Sequence, residues 1–333
     1  MTPRALAKAV DIALESTVVL SFTRVGPAVR RRVDHWRDLD SINARGRRVL
    51  VTGVTSGLGS AAAHQLAEQG AEVILLGRDE QRTVAERDRI AAQTGNDTLT
   101  TAIADLADPD QVAAAAAGIA ADDRPLHALV HNAGALTADH RLAPDGTELT
   151  VAVSVVGPLA LTAALMPALT RARPGRVVWV SSGGMYTQRL DVDRLEMAAD
   201  GYDGTVAYAR AKRAQVVLSA ELARRADPSR LVSHAMHPGW ADTPGVEGAL
   251  PGFRKVVGPL LRTPEEGADT MAWLATGDEP AMTTGGFWLD RRPRWTHRVP
   301  ATRSDQDEAE RLWAWACDRA GVDEGFPAQH GSG

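Results

Sequence analysis

The sequence predicts an α/β fold, a single doubly wound parallel sheet of about seven strands with helices on both faces. Two observations lead there. From residue 46 onward, short apolar runs rich in β-branched residues alternate with helical stretches, the pattern of right-handed strand–helix–strand crossovers. Within that pattern, Arg48-Val-Leu-Val-Thr-Gly-Val-Thr-Ser-Gly-Leu-Gly59 joins the first run to the first helix through a glycine turn.

Strands are expected near 48–52, 71–76, 98–103, 126–131, 175–181, 230–236 and 285–289. Each is a brief apolar run, as a strand buried on both faces requires. Helices are expected near 58–69, 79–93, 108–121, 146–170, 205–226 and 264–276. Two long loops, 184–203 and 240–262, leave the carboxyl ends of strands, where such sheets bind ligands. Residues 1–45 form an amphipathic extension, 46–290 the α/β domain, and 291–333 a tail with a helix around 304–320 containing Leu312, Trp313, Trp315 and Ala316. No internal repeat or second domain stands out.

The extension holds an apolar patch, Val10 to Phe22, followed by Arg30-Arg-Arg32. Asp11, Glu15 and Arg24 leave it far short of the ~20 apolar residues a membrane span needs, and it lacks the form of a cleaved signal. An amphipathic helix remains, packed on the protein's own surface or resting on an anionic membrane as a weak peripheral contact.

Hydrophobic residues make up 44% and charged residues 24% of the 333, a composition ordinary for a soluble globule. A net charge of −5 without a basic stripe gives no support for nucleic-acid binding. The lone Cys317 excludes an intramolecular disulfide and fits a reducing, cytoplasmic compartment. His234 and His237 would point to opposite faces of a strand, and no metal site is expected. Ser182 has no nucleophile elbow around it, which argues against a serine hydrolase.

Two motifs carry chemistry. The segment Thr52-Gly-Val-Thr-Ser-Gly-Leu-Gly59, set between strand and helix, builds a phosphate cradle: glycines admit a pyrophosphate to the backbone, and the helix N-terminus offers free N–H groups. Tyr208 and Lys212 stand one helical turn apart in a chain with three tyrosines and three lysines. That spacing puts both on one helix face, where an ammonium would lower the phenol's pKa and make it a working proton donor and acceptor.

The Thr-Gly-x-x-x-Gly-x-Gly spacing resembles that of the short-chain dehydrogenase/reductase superfamily, and the resemblance covers residues 46 to about 290. Asp105-Leu106, Asn132-Ala-Gly134, Val180-Ser-Ser182, Tyr208 with Lys212, and His237-Pro-Gly239 with Thr243 follow in the family's order. Ser182-Gly-Gly-Met185, Met236 to Gly245 and Gly267 to Met271 are similar to the branch holding dehydrogenase/reductase member 12 and the retinol dehydrogenases.

The resemblance implies a Rossmann-type domain and an NAD(P)-dependent oxidoreductase interconverting an alcohol and a carbonyl. It makes Ser182, Tyr208 and Lys212 catalytic. It gives Thr52, Gly53, Thr55, Ser56, Gly57, Leu58, Gly59, Asp105, Leu106, Asn132, Ala133, Gly134, Tyr208, Lys212, Pro238, Gly239 and Thr243 to the cofactor. Arg78, about twenty residues past the glycine turn, would take the 2′-phosphate of NADP, although the adjacent Asp79 could serve NAD or cap a helix. Trp240, Val246, Leu250, Phe253, Val256, Val257, Leu260 and Leu261 point to an apolar substrate or to core packing. The relatives pair through their fourth and fifth helices, here 146–170 and 205–226, implying a homodimer or homotetramer.

One position departs from the family. Its Asn-x-x-Gly, which bends the fourth helix and binds a water of the proton relay, reads Ser154-Val-Val-Gly157 here. A serine can still bond a water, so Ser154 remains a catalytic candidate. The alternative is an NADP(H)-binding sensor or scaffold with weak catalysis.

Overall fold

The computed structural model describes residues 3–242 and 258–327. Its centre is an eight-stranded sheet of order β3-β2-β1-β4-β5-β6-β7-β8. The strands are β1 (Arg48–Thr52), β2 (Glu72–Gly77), β3 (Thr100–Ile103), β4 (Ala128–His131), β5 (Gly175–Val180), β6 (Leu231–Met236), β7 (Phe287–Leu289) and β8 (Arg292–Pro293). All pairs are parallel except β7–β8. This is a Rossmann-type sheet, and the order reverses between β1 and β4, where β1 pairs with β2 on one side and β4 on the other. That crevice is where such sheets bind ligands. Residues of β1, β4, β5 and β6 are buried throughout because helices cover both faces.

The eighth strand exceeds the seven expected. Asp290 and Arg291, at φ 54° and 51°, form a two-residue turn that folds the chain back on β7. Positive φ at both positions suits a tight hairpin, but Asp-Arg lacks the glycine that usually signals one. The expected boundary at 290 therefore falls inside a hairpin.

The extension folds as three helices, α1 (Pro3–Ser16), α2 (Val18–Phe22) and α3 (Val25–Val33). One face packs on the protein: Ala7, Leu14, Phe22 and Arg30 are buried. Leu6, Ile12, Val18, Val19 and Leu20 remain exposed on the other. Arg30 and Arg262, each 1% exposed, share the carboxylate of Asp290. Arg262 also donates to the carbonyls of Ser21 (2.7 Å), Phe22 (2.9 Å) and Pro238 (3.1 Å), tying the extension to the end of β6. Burial would raise the Asp11 carboxyl, but Arg294 and Arg30 bring it down to about 2.

After β1 come α4 (Gly57–Glu68), α5 (Glu80–Thr94) and α6 (Pro109–Ala120). The expected 146–170 helix is composite: α7 (Leu149–Val151), a π-helical turn (Ala152–Val156) and α8 (Gly157–Arg171). Pro158 has no N–H for the carbonyl of Ser154, so the regular ladder cannot continue there and the turn widens. Gly157 is required, since a Cβ would lie 2.0 Å from the Leu106 carbonyl. The Leu149–Arg171 stretch is long and apolar enough to cross a membrane, yet two thirds of it is buried in the protein, as a core helix is.

Next are α9 (Gly204–Arg225), α10 (Pro264–Thr276), α11 (Asp278–Ala281) and α12 (Gln306–Ala320). The tail helix α12 packs across α8 and α9. Its Leu312, Trp313, Ala316 and Cys317 join Leu161, Leu165, Val217, Leu218 and Leu222 in one buried cluster. The Arg225 guanidinium lies 4.8 Å from the Trp313 ring centroid. The two helices expected to pair subunits are thus covered by the chain's own tail. Burial pushes the Cys317 thiol up to about 11.

Candidate active site

The glycine turn takes the form its sequence requires. Gly53 and Gly57 sit at φ 71° and 58°, open to glycine and strained for other residues. A Cβ on Gly59 would meet the Gly53 carbonyl oxygen at 2.2 Å, so this glycine permits close packing of α4 on the turn. Ser56 precedes α4 without capping it by its side chain, leaving the first N–H groups toward the crevice. Such a helix N-terminus favours a pyrophosphate. Thr55 and Leu58 flank the turn, with Thr55 beside Gly77 and Leu58 against Gly267.

Asn132 and Thr52 build this cradle rather than line it. Asn132 Nδ2 donates to the carbonyls of Thr52 (2.9 Å) and Gly53 (3.0 Å), while Thr52 Oγ1 accepts from the N–H groups of Asn132 (3.1 Å) and Ala133 (3.0 Å). Ala133 in turn abuts Gly53. Gly134 is exposed beside Lys212, whose Nζ would lie 3.3 Å from a Cβ there.

Arg78 projects exposed past β2. Asp79 caps α5, accepting from the Arg82 N–H at 2.9 Å, so the cap reading of Asp79 holds and Arg78 stands as the cation at the strand end. Asp105 accepts from the Ala107 N–H at 3.0 Å just beyond β3. Leu106 is buried in the core at 5% exposure. Pro238 and Gly239 follow β6; Gly239, at φ 75°, abuts Arg262 and Phe22. Thr243 lies outside the described residues, as do Val246, Leu250, Phe253, Val256 and Val257.

Helix α9 carries Tyr208 and Lys212 against the end of β5. Ser182 accepts from the Gly184 N–H at 3.3 Å and stands at the Tyr208 hydroxyl. Burial pushes the phenol up to about 12, with the Ser182 hydrogen bond pulling the other way. The expectation that Lys212 lowers this pKa is corrected here. The ammonium sits over the ring, 5.4 Å from its centroid, and donates to the Val180 carbonyl (2.8 Å) and to Gln215 Oε1 (3.0 Å). Lys212 is 2% exposed, and burial brings its own pKa down to about 7. An ammonium opposed by burial and engaged with Val180 and Gln215 gives the phenolate little support.

Ser154 lies in the π turn with its hydroxyl buried and unpartnered among the described residues. His234 accepts at Nδ1 from the Gly286 N–H and from Trp288 Nε1, and its Nε2 faces the Pro280 carbonyl. His237 packs on Phe22 with ring centroids 4.5 Å apart. These contacts give both histidines structural partners.

Sequence reading missed three residues. Gln215 follows Lys212 at helical spacing, a signal that was legible. His131, fully buried beneath Thr162 (2.7 Å) and beside Trp179, carries no motif. Phe22 brings the extension to the site: a Cβ on Gly183 would lie 2.7 Å from its ring, and it contacts Tyr186 and Trp240.

A family model described as short chain dehydrogenase matches residues 47–251. Dehydrogenase/reductase SDR family member 12 from Homo sapiens is 40% identical over 266 residues, covering 80% of this chain and 83% of that protein. Retinol dehydrogenase 11 from Homo sapiens is 29% identical over 300 residues, 89% of this chain and 92% of its own length. A short chain dehydrogenase from Escherichia coli CFT073, solved in complex with NADPH, superposes with a TM-score of 0.63 at 28% identity, covering 77% of this chain and all of that one.

Proposed function

The chain belongs to the short-chain dehydrogenase family, and we propose that it reduces a lipophilic carbonyl to an alcohol at the expense of NADPH. The family and its nucleotide-bound structural neighbours support a nicotinamide-dependent oxidoreductase. The finer reading rests on one grouping at the end of β5: the Tyr208 phenol stands at the hydroxyl of Ser182, with Lys212 Nζ 5.4 Å from its ring centroid. A carbonyl reduction consumes a proton at the nascent alkoxide, and a protonated phenol is the form that supplies it.

The residues of the crevice fit the cofactor. Gly53, Gly57 and Gly59 would cradle the pyrophosphate, with the open N-terminus of α4 facing its charge. Exposed Arg78 would meet a 2′-phosphate, for which a guanidinium is the matching group. The bound nicotinamide supplies the hydride. Ser182 donates a hydrogen bond to the carbonyl oxygen and stabilises the charge that develops there. Tyr208 delivers its proton to the same oxygen. Lys212 uses two of its three N–H donors on Val180 and Gln215, which leaves the third for the ribose beside Gly134.

An apolar substrate is favoured by half-buried Trp240, which is backed by the buried rings of Phe22 and Tyr186 beside Gly183. Leu261 is buried, while Leu260 is exposed. The test is a screen of aldehydes and ketones followed by NADPH absorbance. Sustained oxidation of NADPH with apolar carbonyls supports the reading, and a preference for small charged substrates refutes it.

A further inference from the structure

We propose that Gln215 is the positioning residue of Lys212. The proposal rests on the reading of Lys212 as the ribose-binding cation. Gln215 lies three residues after Lys212 on α9, on the same helix face. Its amide oxygen accepts from Nζ at 3.0 Å, and the side chain is wholly buried. An ammonium has only donors, so Oε1 must face it while Lys212 is charged. The Gln215 Nε2 then has no partner among the described residues. A buried, half-satisfied amide costs stability, and packing alone would be served better by Leu or Met. Holding the ammonium accounts for the polar group.

Every group facing Lys212 leaves this task to neutral acceptors. On its own helix, Tyr208 offers the face of its ring. On β5, the Val180 carbonyl accepts from Nζ, and Ser181 Oγ donates to the Lys212 carbonyl at 2.7 Å. On β4, His131 is buried and neutral, its pKa held at about 3 by burial and the charge of Lys212. From the π turn, Ser154 contributes a hydroxyl bonded to none of the described residues. Burial opposes the ammonium, and two dipoles, Val180 and Gln215, uphold it. Removing one shifts Lys212 toward the amine and frees its stem to turn.

The test compares wild type, Gln215→Met and Gln215→Glu. Competitive acetylation read by mass spectrometry gives the titration midpoint of Lys212 without cofactor, and fluorescence gives NADPH affinity from pH 6 to 9. Gln215→Met should move the midpoint down by about one unit and weaken NADPH about tenfold near pH 7.5. Gln215→Glu keeps an acceptor, adds a negative charge, and should move the midpoint above wild type while restoring affinity. A Met variant that matches wild type in both readouts overturns the proposal. If that variant does not fold, an unmoved midpoint in the Glu variant overturns it equally. Neither readout requires turnover, so a wild-type protein that binds NADPH but reduces no carbonyl would refute the hydride-transfer reading alone.

Discussion

Lys212 lies over the face of the Tyr208 ring, its Nζ 5.4 Å from the centroid, and is bonded to Val180 rather than turned to the phenol oxygen. One helical turn between a Tyr and a Lys therefore makes neighbours of them without making an ion pair. In this arrangement burial raises the Tyr208 phenol and lowers the Lys212 ammonium.

Cofactor choice depends on Arg78. Arg78→Ala should weaken NADPH by about 10- to 100-fold, the loss of a charge-assisted contact, and leave NADH almost unchanged. Fluorescence titration with both nucleotides measures this. Equal losses would assign Arg78 no part in recognising the phosphate.

The extension is anchored by charge. Asp290, 2% exposed, lies between Arg30 and Arg262. Asp290→Asn takes the counter-charge from buried Arg262 and leaves Arg30 with Asp11 and Glu15, and stability should fall by about 3 kcal/mol. Urea unfolding decides it; a loss under about 1 kcal/mol would show that the cluster is neutral in its net effect.

The order of motifs along the chain made the sheet legible, because a parallel strand, a glycine turn and a helix each leave a local pattern. Tyr208, Lys212, Ser182 and the glycines were named for that reason, and the structure brings them to one edge. What stayed hidden depends on contacts distant in sequence. The site pairs Gly183 with Phe22, and Arg30 of the extension with Asp290 of the hairpin; no spacing encodes either. The cover on α9 was hidden similarly: an apolar stripe there reads alike whether a second subunit or α12 packs on it.

Because α12 covers α8 and α9, the full chain is expected to run as a monomer in light scattering. Ending the chain at residue 303 should expose Leu161, Leu165, Val217 and Leu222 and cause association or aggregation. A stable dimer of the full chain that is unaffected by substitutions on α8 and α9 would place the interface elsewhere.

Acid should destabilise the protein through His131. Its folded pKa of about 3 lies below the ordinary 6.5, so between those values the unfolded chain binds the extra proton. Stability is full above pH 6.5 and falls as pH drops, by about 2 kcal/mol at pH 5 from this residue alone. His127, His234 and His237, also lowered mainly by burial, act in the same direction. His131→Gln should flatten the slope by that amount in unfolding measured from pH 7 to 5. An unchanged slope would remove His131 as the cause.

Under the proposed function, Tyr208 delivers the proton in a nicotinamide-dependent carbonyl reduction. Tyr208→Phe removes one oxygen and preserves the ring over which Lys212 sits. With an apolar carbonyl that the wild-type protein reduces, the variant should lose at least about a thousandfold in kcat, within the range general acid catalysis supplies, while binding NADPH as before. A Phe variant that consumes NADPH at the wild-type rate on that substrate would contradict the account.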